Sequence, residues 1–95
     1  MKKLAVSHHF QKQLNKLSAL ERTKITDTLK TFLEALKKGP IPMGFGFKKI
    51  NGDKYELRVN LRLRIAMKAD SGVLVCHLIG NHEEIRKYLR DFRNK

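Results

Sequence analysis

Two arginines on a predicted β-sheet face are the first residues whose type and spacing suggest chemistry. Between residues 55 and 68 the odd positions are apolar and the even positions polar or basic, except for Ala66, which predicts strands with one buried face. A three-residue loop at residues 60–62 would place Arg58 directly opposite Arg64. Because facing like charges destabilise a sheet, this pair predicts a bound anion, such as a phosphate held by two guanidinium groups. The alternative is that both arginines point into solvent.

Further basic residues extend this sheet face or border it. The same register places Lys54 opposite Lys68. Each of these residues could contact a phosphate group, and the alternative for each is an ordinary solvated side chain. The candidates are Lys48, Lys49, Lys54, Arg62 and Lys68.

A histidine and a tyrosine in the last predicted helix are candidates for proton transfer. His82 directly follows Asn81, the predicted N-cap, and the positive end of the helix dipole favours a neutral imidazole that can accept a proton. The alternative for His82 is a surface residue. Tyr88 lies two turns further on, on the apolar face of the helix, so core packing with its hydroxyl at the rim is the first expectation.

The remaining histidines and the cysteine do not predict a metal site. His8 and His9 are adjacent at a predicted helix start, where surface positions are expected. Cys76 and His77 lie in an apolar run, which predicts a buried thiol and a hydrogen-bonded imidazole. These residues lack the short recurring spacing of zinc ligands, so we expect no metal and no cofactor.

The length and net charge of the chain limit the number of domains it can form and the class of partner it can bind. The chain has 95 residues and a formal net charge of +12, so we expect one domain over residues 1–95 and a polyanionic partner. Nucleic acid, an acidic protein and an anionic membrane surface all fit that charge. No apolar run approaches the roughly 20 residues that span a bilayer. A single cysteine and the absence of an apolar leader after Met1 predict the cytoplasm.

The first half of the chain reads as a strand followed by two helices. Lys3–Val6 is a short apolar strand, and Ser7 can cap a first helix. Ser18 and Glu21 have the spacing of a capping box for a second helix, which Gly39 would end. The apolar faces are Phe10, Leu14 and Leu17 in the first helix, and Ile25, Leu29, Phe32, Leu33 and Leu36 in the second.

The second half reads as an antiparallel meander closed by a helix. Glycines and prolines at residues 40–46 predict a loop that leads into a strand at Phe47. Residues 70–72 predict a turn, and residues 73–79 a strand covered on both faces. The last helix would follow Asn81, with the apolar face Ile85, Tyr88, Leu89 and Phe92 and the basic end Lys87, Arg90, Arg93 and Lys95. The fold class is therefore α+β.

Four short motifs in this order resemble the RelE/ParE superfamily of type II toxin–antitoxin toxins, over nearly the whole chain. They are Lys49-Ile50-Asn51-Gly52, Tyr55-Glu56-Leu57-Arg58-Val59, Leu63-Arg64-Ile65 and Gly80-Asn81-His82-Glu83. The resemblance implies an N-terminal strand, a helical hairpin, a curved antiparallel sheet and a C-terminal helix. It also implies a ribosome-dependent mRNA endonuclease that an acidic antitoxin silences.

The resemblance also implies roles for single residues. Arg58 matches a basic strand residue of the RNA-cleaving members, and Arg64 matches their phosphate-stabilising arginine. His82 falls where the YafQ-like group has a catalytic histidine, and Tyr88 matches an active-site tyrosine of the RelE group. The implied reaction is attack of a ribose 2′-oxygen on the adjacent phosphate without metal. Glu56 stands where several nucleases have a lysine, and it would weaken phosphate binding unless it acts as a base.

Two other functions remain open from the sequence. A Gly-x-His pattern at the last helix is also common in the ParE branch, which is associated with inhibition of DNA gyrase through protein binding. In that case His82 has no chemical role. The third interpretation is a plain RNA-binding module, which the absence of Trp and the core-like spacing of the Phe and Tyr residues disfavour.

Overall fold

The structure, a computed structural model, describes residues 3–42 and 44–91. Three helices and five strands follow one another along these residues in the predicted order. The strands are β1 (Lys3–Val6), β2 (Phe47–Asn51), β3 (Lys54–Arg58), β4 (Arg64–Asp70) and β5 (Val73–Gly80); the helices are α1 (His8–Lys16), α2 (Ala19–Lys38) and α3 (His82–Asp91). The predicted continuation of the last helix through Phe92, Arg93 and Lys95 lies outside the described residues.

The five strands form one mixed sheet in the order β1-β5-β4-β3-β2. Strands β2 to β5 are antiparallel neighbours, which confirms the predicted meander. Strand β1 pairs parallel to β5, from Lys3 opposite Val73 to Val6 opposite Cys76. This parallel pairing was not predicted, because the partner strand lies far along the chain and leaves no local pattern. It places β5 inside the sheet, as its apolar run indicates.

The register between β3 and β4 is the one that the alternation predicts. Leu57 lies opposite Ile65, and Arg58 lies opposite Arg64. The loop between the strands is fixed by Asn60, whose Oδ1 accepts hydrogen bonds from the backbone N–H groups of Arg62 and Leu63, both at 2.8 Å. An odd loop length keeps the apolar residues of both strands on one face.

Each helix begins at the predicted cap. The hydroxyl of Ser7 accepts from the N–H of Phe10 at 3.1 Å, and that of Ser18 accepts from the N–H of Glu21 at 3.2 Å. At α3 the capping is reciprocal: Asn81 Oδ1 accepts from the N–H of Glu84 at 2.8 Å, and Glu84 Oε1 accepts from the N–H of Asn81 at 2.9 Å. The side chains at the start of α3 therefore have a fixed position.

The sheet separates two apolar layers. The larger layer packs α1 and α2 against one face and includes Phe10, Ile25, Phe32, Leu57 and Ile65. The smaller layer lies beneath α3, with buried Ala66, Ile85 and Leu89 and partly buried Ile50, Leu78 and Tyr88. The face beneath α3 is also the face of the even-numbered β3 and β4 residues, so α3 borders the basic surface.

Within the described ranges, no helix is both long and apolar enough to cross a membrane.

Candidate functional site

A cavity of about 280 Å³ opens on the basic face of the sheet, and we call it the arginine cavity. Strand β2 contributes Lys48, which lies opposite Glu56 of β3. Arg58 and Arg64 face each other across β3 and β4 at the same end of the sheet. The lining residues are Gly44, Gly46, Phe47, Lys48, Glu56, Arg58 and Arg64. Three cationic side chains therefore meet around one carboxylate.

Glu56 is the charged centre of the site, and its side chain is only 1% exposed. Its Oε1 lies 3.5 Å from Nη1 of Arg64. Its Oε2 lies 3.7 Å from Nε of Arg86 and 3.9 Å from Nδ1 of His82, both on α3. Since burying an unpaired carboxylate is costly, the three surrounding groups offset the cost of placing Glu56 in this position.

The polar groups around Glu56 are incompletely satisfied by the protein. Glu56 Oε2 and Arg64 Nε are both buried without a hydrogen-bond partner among the described residues. The contacts of Oε2 with Arg86 and His82 are longer than hydrogen bonds. Unfilled hydrogen-bonding capacity of this kind is rare in protein interiors and is typical of sites that complete themselves with a ligand or water.

A loop lies closely over the arginine cavity at Gly46. The Gly46 carbonyl accepts from the backbone N–H of Arg58 at 2.9 Å. Gly46 has φ +88°, and a Cβ atom there would lie 3.2 Å from Cβ of Arg58. Both the left-handed backbone and the close approach require glycine. The loop thereby fixes the root of the Arg58 side chain.

The guanidinium of Arg58 is available to a ligand. Within residues 3–42 and 44–91, it forms no ion pair and no hydrogen bond. Arg64, by contrast, is 15% exposed and shares its charge with Glu56. The two facing arginines therefore differ: one is held by the protein and the other is open to solvent.

The first turn of α3 presents two further groups to the site. His82 and Arg86 are four residues apart, which places them on one side of the helix. Their side chains are 51% and 43% exposed, although each has one nitrogen near Glu56. Gly80 allows the close approach of Glu84 in the same turn, since a Cβ atom there would lie 3.0 Å from Cβ of Glu84. An imidazole and a guanidinium of α3 therefore lie beside Glu56, which lines the arginine cavity.

Of the five predicted basic residues, Lys49 and the three described here lie away from this cavity. Lys54 is largely buried and pairs with Asp53, Nζ to Oδ1 at 3.1 Å, while Nζ of Lys68 lies 4.0 Å from Oδ2 of the same carboxylate. The hydrogen bond that Lys54 donates, together with the positive charges of Lys54 and Lys68, holds the pKa of Asp53 below its usual value. Arg62 lies on the β3–β4 loop and lines a separate apolar cavity with Leu20.

Lys49 lies on the opposite face of the sheet from Lys48. It is in register with Tyr55, which belongs to the face covered by α1 and α2. Adjacent strand residues point to opposite faces, so only one of the two lysines can reach the arginine cavity.

Tyr88 lies in the apolar layer beneath α3. Helix geometry places it about 160° around α3 from Arg86. Burial raises the pKa of the Tyr88 phenol above its usual value. Its surroundings therefore match the expectation of core packing.

Cys76 and His77 lie in β5, as predicted. Burial raises the pKa of the Cys76 thiol to about 12. His77 lies at a β-bulge between β4 and β5. Burial lowers its pKa, and the nearby charges of Lys68 and His9 lower it further.

Arg86 is the site residue that the sequence analysis missed. Its sequence signal is the four-residue spacing from His82 on an amphipathic helix. That spacing alone does not indicate which side of α3 faces Glu56, because the contact depends on how the helix packs on the sheet.

Several solved structures have an architecture similar to that of this chain. The crystal structure of YafQ from E. coli strain BL21(DE3) matches with a TM-score of 0.62 and 17% identity over 90% of this chain and 98% of that one. The RelB–RelE antitoxin–toxin complex from Methanococcus jannaschii matches with a TM-score of 0.64 and 17% identity, over 88% and 96%. The YoeB–YefM complex from Staphylococcus aureus matches with a TM-score of 0.61 and 14% identity, over 84% and 95%.

No protein-family model matches the chain, and no curated protein matches it significantly. The structural likeness extends over most of the chain and is shared with the structures of YafQ, RelE and YoeB. The chain therefore has the fold of the RelE superfamily toxins, and the resemblance seen in its motifs is confirmed at the level of the fold.

Proposed function

We propose that this chain is the toxin of a toxin–antitoxin pair and cleaves mRNA on the ribosome. The observation that supports this most directly is the arginine cavity, in which Lys48, Arg58 and Arg64 meet on the open face of a RelE-type sheet. One buried carboxylate offsets only part of their charge. A phosphodiester is the anion that a +12 chain with such a cavity is suited to bind.

The reaction is an internal transfer within the RNA. The ribose 2′-oxygen forms a bond to the adjacent phosphorus, and the bond from phosphorus to the 5′-oxygen of the next nucleotide breaks. The 2′-hydroxyl proton passes to a base, and the departing 5′-oxygen receives a proton from an acid. The products are a 2′,3′-cyclic phosphate and a 5′-hydroxyl, and the added negative charge develops on the phosphoryl oxygens.

The arginines stabilise that charge. Arg58 is open to solvent and binds a phosphoryl oxygen directly, whereas Arg64 presents a guanidinium that Glu56 already orients. A preorganised cation does not have to reorganise during the reaction, which is the main source of electrostatic catalysis. Lys48 holds the same phosphate from the β2 side of the cavity.

His82 is assigned to one of the two proton transfers, and solvent water supplies or accepts the other proton. Its imidazole is half exposed, and Nδ1 faces Glu56 at 3.9 Å, which leaves Nε2 directed away from the carboxylate and accessible to RNA. Glu56 is too deeply buried to reach a ribose hydroxyl, so we assign it to the positioning of Arg64 rather than to the role of base. Tyr88 receives no step, since it packs in the apolar layer beneath α3.

The proposed partners follow from the charge and from the likeness to toxin complexes. RelE was solved with RelB, YafQ with DinJ and YoeB with YefM. For this chain we propose a cognate acidic antitoxin whose partly disordered segment covers the basic face. The mRNA and the ribosome are the proposed targets, and the cytoplasm is the compartment in which both are found.

The test is to express the chain alone in bacteria and, within minutes, follow protein synthesis and map the 5′ ends of cellular mRNAs. We expect new 5′ ends inside translated reading frames, and their loss in an Arg64→Gln, His82→Gln double variant. The matched control is Arg62→Gln with His9→Gln, which changes the same residue types at exposed positions outside the cavity.

Two other outcomes of this experiment would contradict the proposal. Growth arrest with intact mRNA and early signs of DNA damage would replace the nuclease by a gyrase-binding inhibitor of the ParE kind. Cuts that persist in the Arg64→Gln, His82→Gln variant would reject the arginine cavity as the active site.

A further inference from the structure

A second cavity shares Arg58 with the arginine cavity, and we call it the α2 cavity. Its volume is about 320 Å³. Helix α2 lines it with Lys24, Asp27, Thr28 and Thr31, and the opposite wall includes Phe45 and Arg58. Because Arg58 lines both cavities, a ligand that contacts its guanidinium in the arginine cavity can extend into the α2 cavity.

Asp27 and Thr31 supply hydrogen-bonding groups to the α2 cavity. They are four residues apart and therefore lie on the same side of the helix. Within residues 3–42 and 44–91, neither the Asp27 carboxylate nor the Thr31 hydroxyl has a hydrogen bond or an ion pair. The Thr28 hydroxyl, by contrast, donates to the Lys24 carbonyl at 2.8 Å. Two carboxylate oxygens and one hydroxyl are therefore available to a ligand.

The opposite charges of the α2 cavity do not pair with one another. Lys24 and Arg58 line it together with Asp27, but among the described residues neither cation forms an ion pair with that carboxylate. A ligand that displaces water from these groups must satisfy both signs of charge. A nucleotide has both kinds of partner, because its phosphate is an anion and its base carries hydrogen-bond donors. The charges therefore favour a nucleotide over a second free phosphate.

Phe45 gives the α2 cavity an aromatic wall. Its ring is half-buried and packs at a tilt against Phe32, with the ring centroids 5.7 Å apart. Its backbone N–H donates to the carbonyl of Pro42 at 3.2 Å, which fixes the loop. Bases of single-stranded RNA stack on aromatic side chains of this kind. The cavity thus combines a stacking surface with polar groups that can contact the edge of a base.

The polar groups indicate which base fits. A carboxylate accepts hydrogen bonds and donates none, whereas a hydroxyl can donate one. Guanine has two adjacent donors on its base-pairing edge, N1–H and N2–H, followed by the acceptor O6. Adenine, cytosine and uracil each have a single donor group on that edge. Asp27 and Thr31 therefore match guanine, with the carboxylate accepting from both donors and the hydroxyl donating to O6.

We infer that the α2 cavity binds a guanine base attached next to the scissile phosphate, and that Asp27 is the residue that selects it. This inference rests on the proposed function, because it takes the arginine cavity as the place of cleavage. It adds a sequence preference to that cleavage. Arg58 holds the phosphate where the two cavities meet, and the base enters between α2 and Phe45.

The experiment compares dinucleotides that differ by one amino group. Each has one phosphodiester, and a 2′-deoxy sugar at the reacting position prevents cleavage. Guanosine stands on the 5′ or the 3′ side of the phosphate with uridine on the other, and each RNA has a partner in which inosine, which lacks the N2 amine, replaces guanosine. Binding is followed by NMR titration of the full chain. We expect one guanosine dinucleotide to bind about tenfold more tightly than its inosine partner, as for a bidentate base contact reduced to a single bond.

The variants assign that ratio to Asp27. In Asp27→Asn the ratio should fall below about twofold, because the amide offers one acceptor and places a donor against the second donor of guanine. The ratio is the decisive quantity, since removal of a negative charge raises the affinity for every RNA alike. Asp70→Asn changes the same residue type at an exposed position outside both cavities, and it should keep the tenfold ratio.

The failure of this inference and that of the proposed function are distinguishable. Equal affinity for guanosine and inosine dinucleotides, together with weaker binding in Arg64→Gln, would overturn the guanine site and leave the proposed cleavage site standing. A tenfold ratio that persists in Asp27→Asn would place base recognition outside the α2 cavity and overturn the inference. Binding of none of the dinucleotides would also overturn it. An Asp27-dependent ratio with intact mRNA in bacteria would keep the guanine site and reject the nuclease.

Discussion

Glu56 and Arg64 are diagonal neighbours across β3 and β4, and the carboxylate Oε1 lies 3.5 Å from the guanidinium Nη1. Arg64 is directly opposite Arg58, so this ion pair offsets a cation that the sheet would otherwise place against another cation. The repulsion inferred from the facing arginines is therefore partly relieved within the protein. What remains for a ligand is the charge of Arg58 and Lys48.

Arg58 and Arg62 provide a matched pair for testing the arginine cavity. Both are exposed arginines near the β3–β4 loop, but only Arg58 lines the cavity. We expect Arg58→Gln to reduce the rate of RNA cleavage about 100-fold, as for loss of one preorganised transition-state contact. Arg62→Gln should stay within a few-fold of the unchanged protein. Cleavage of a reporter mRNA in a purified translation system measures both, and equal losses would contradict the assignment.

Replacement of Glu56 by glutamine should destabilise the fold. The change leaves Arg64, Arg86 and His82 around a buried neutral amide, and we expect a loss of about 2 kcal/mol in the free energy of unfolding. Urea denaturation measures it, with the exposed Glu34→Gln as control. Added inorganic phosphate should stabilise the Glu56→Gln variant more than the unchanged protein, because the anion replaces the missing charge. An identical response to phosphate would argue against Glu56 as the counter-charge.

Alanine variants of two glycines in the loop over the cavity distinguish the effect of backbone strain from that of a steric contact with Arg58. Gly44 and Gly46 have φ of +84° and +88°, but only a Cβ at Gly46 meets Arg58. Both alanine variants should lose about 1 kcal/mol of stability from the left-handed backbone. Gly46→Ala should lose more and should also weaken phosphate binding, since Arg58 must move. Thermal unfolding with and without phosphate measures the difference, and equal effects would place the loop away from the site.

Because of Cys76, the free energy of unfolding should fall as the pH rises through the alkaline range. Burial raises its pKa to about 12 from a usual value of 9.0. Between these values the unfolded chain loses the thiol proton first, so it binds fewer protons and the free energy of unfolding falls as pH rises. The expected slope is about 1.4 kcal/mol per pH unit. The difference between the unchanged protein and Cys76→Ala, measured by urea denaturation from pH 9 upward, isolates this contribution; parallel curves would show an accessible thiol.

The sequence by itself determined the elements and the register that places Arg58 opposite Arg64. Strand alternation has a period of two, and an odd loop length preserves it, so the pairing follows from local pattern. The caps at Ser7, Ser18 and Asn81 were predictable for the same reason, because each depends on residues three positions apart.

Only the tertiary structure decided which charged groups share the site. Glu56 meets Arg86 and His82 because α3 packs across the sheet, and residues so far apart along the chain leave no periodic signal of their contact. The approach of Lys68 to Asp53 likewise depends on the pairing of β3 with β4. Local periodicity specifies a side chain's face, whereas its burial and its charged neighbours depend on the elements packed against that face.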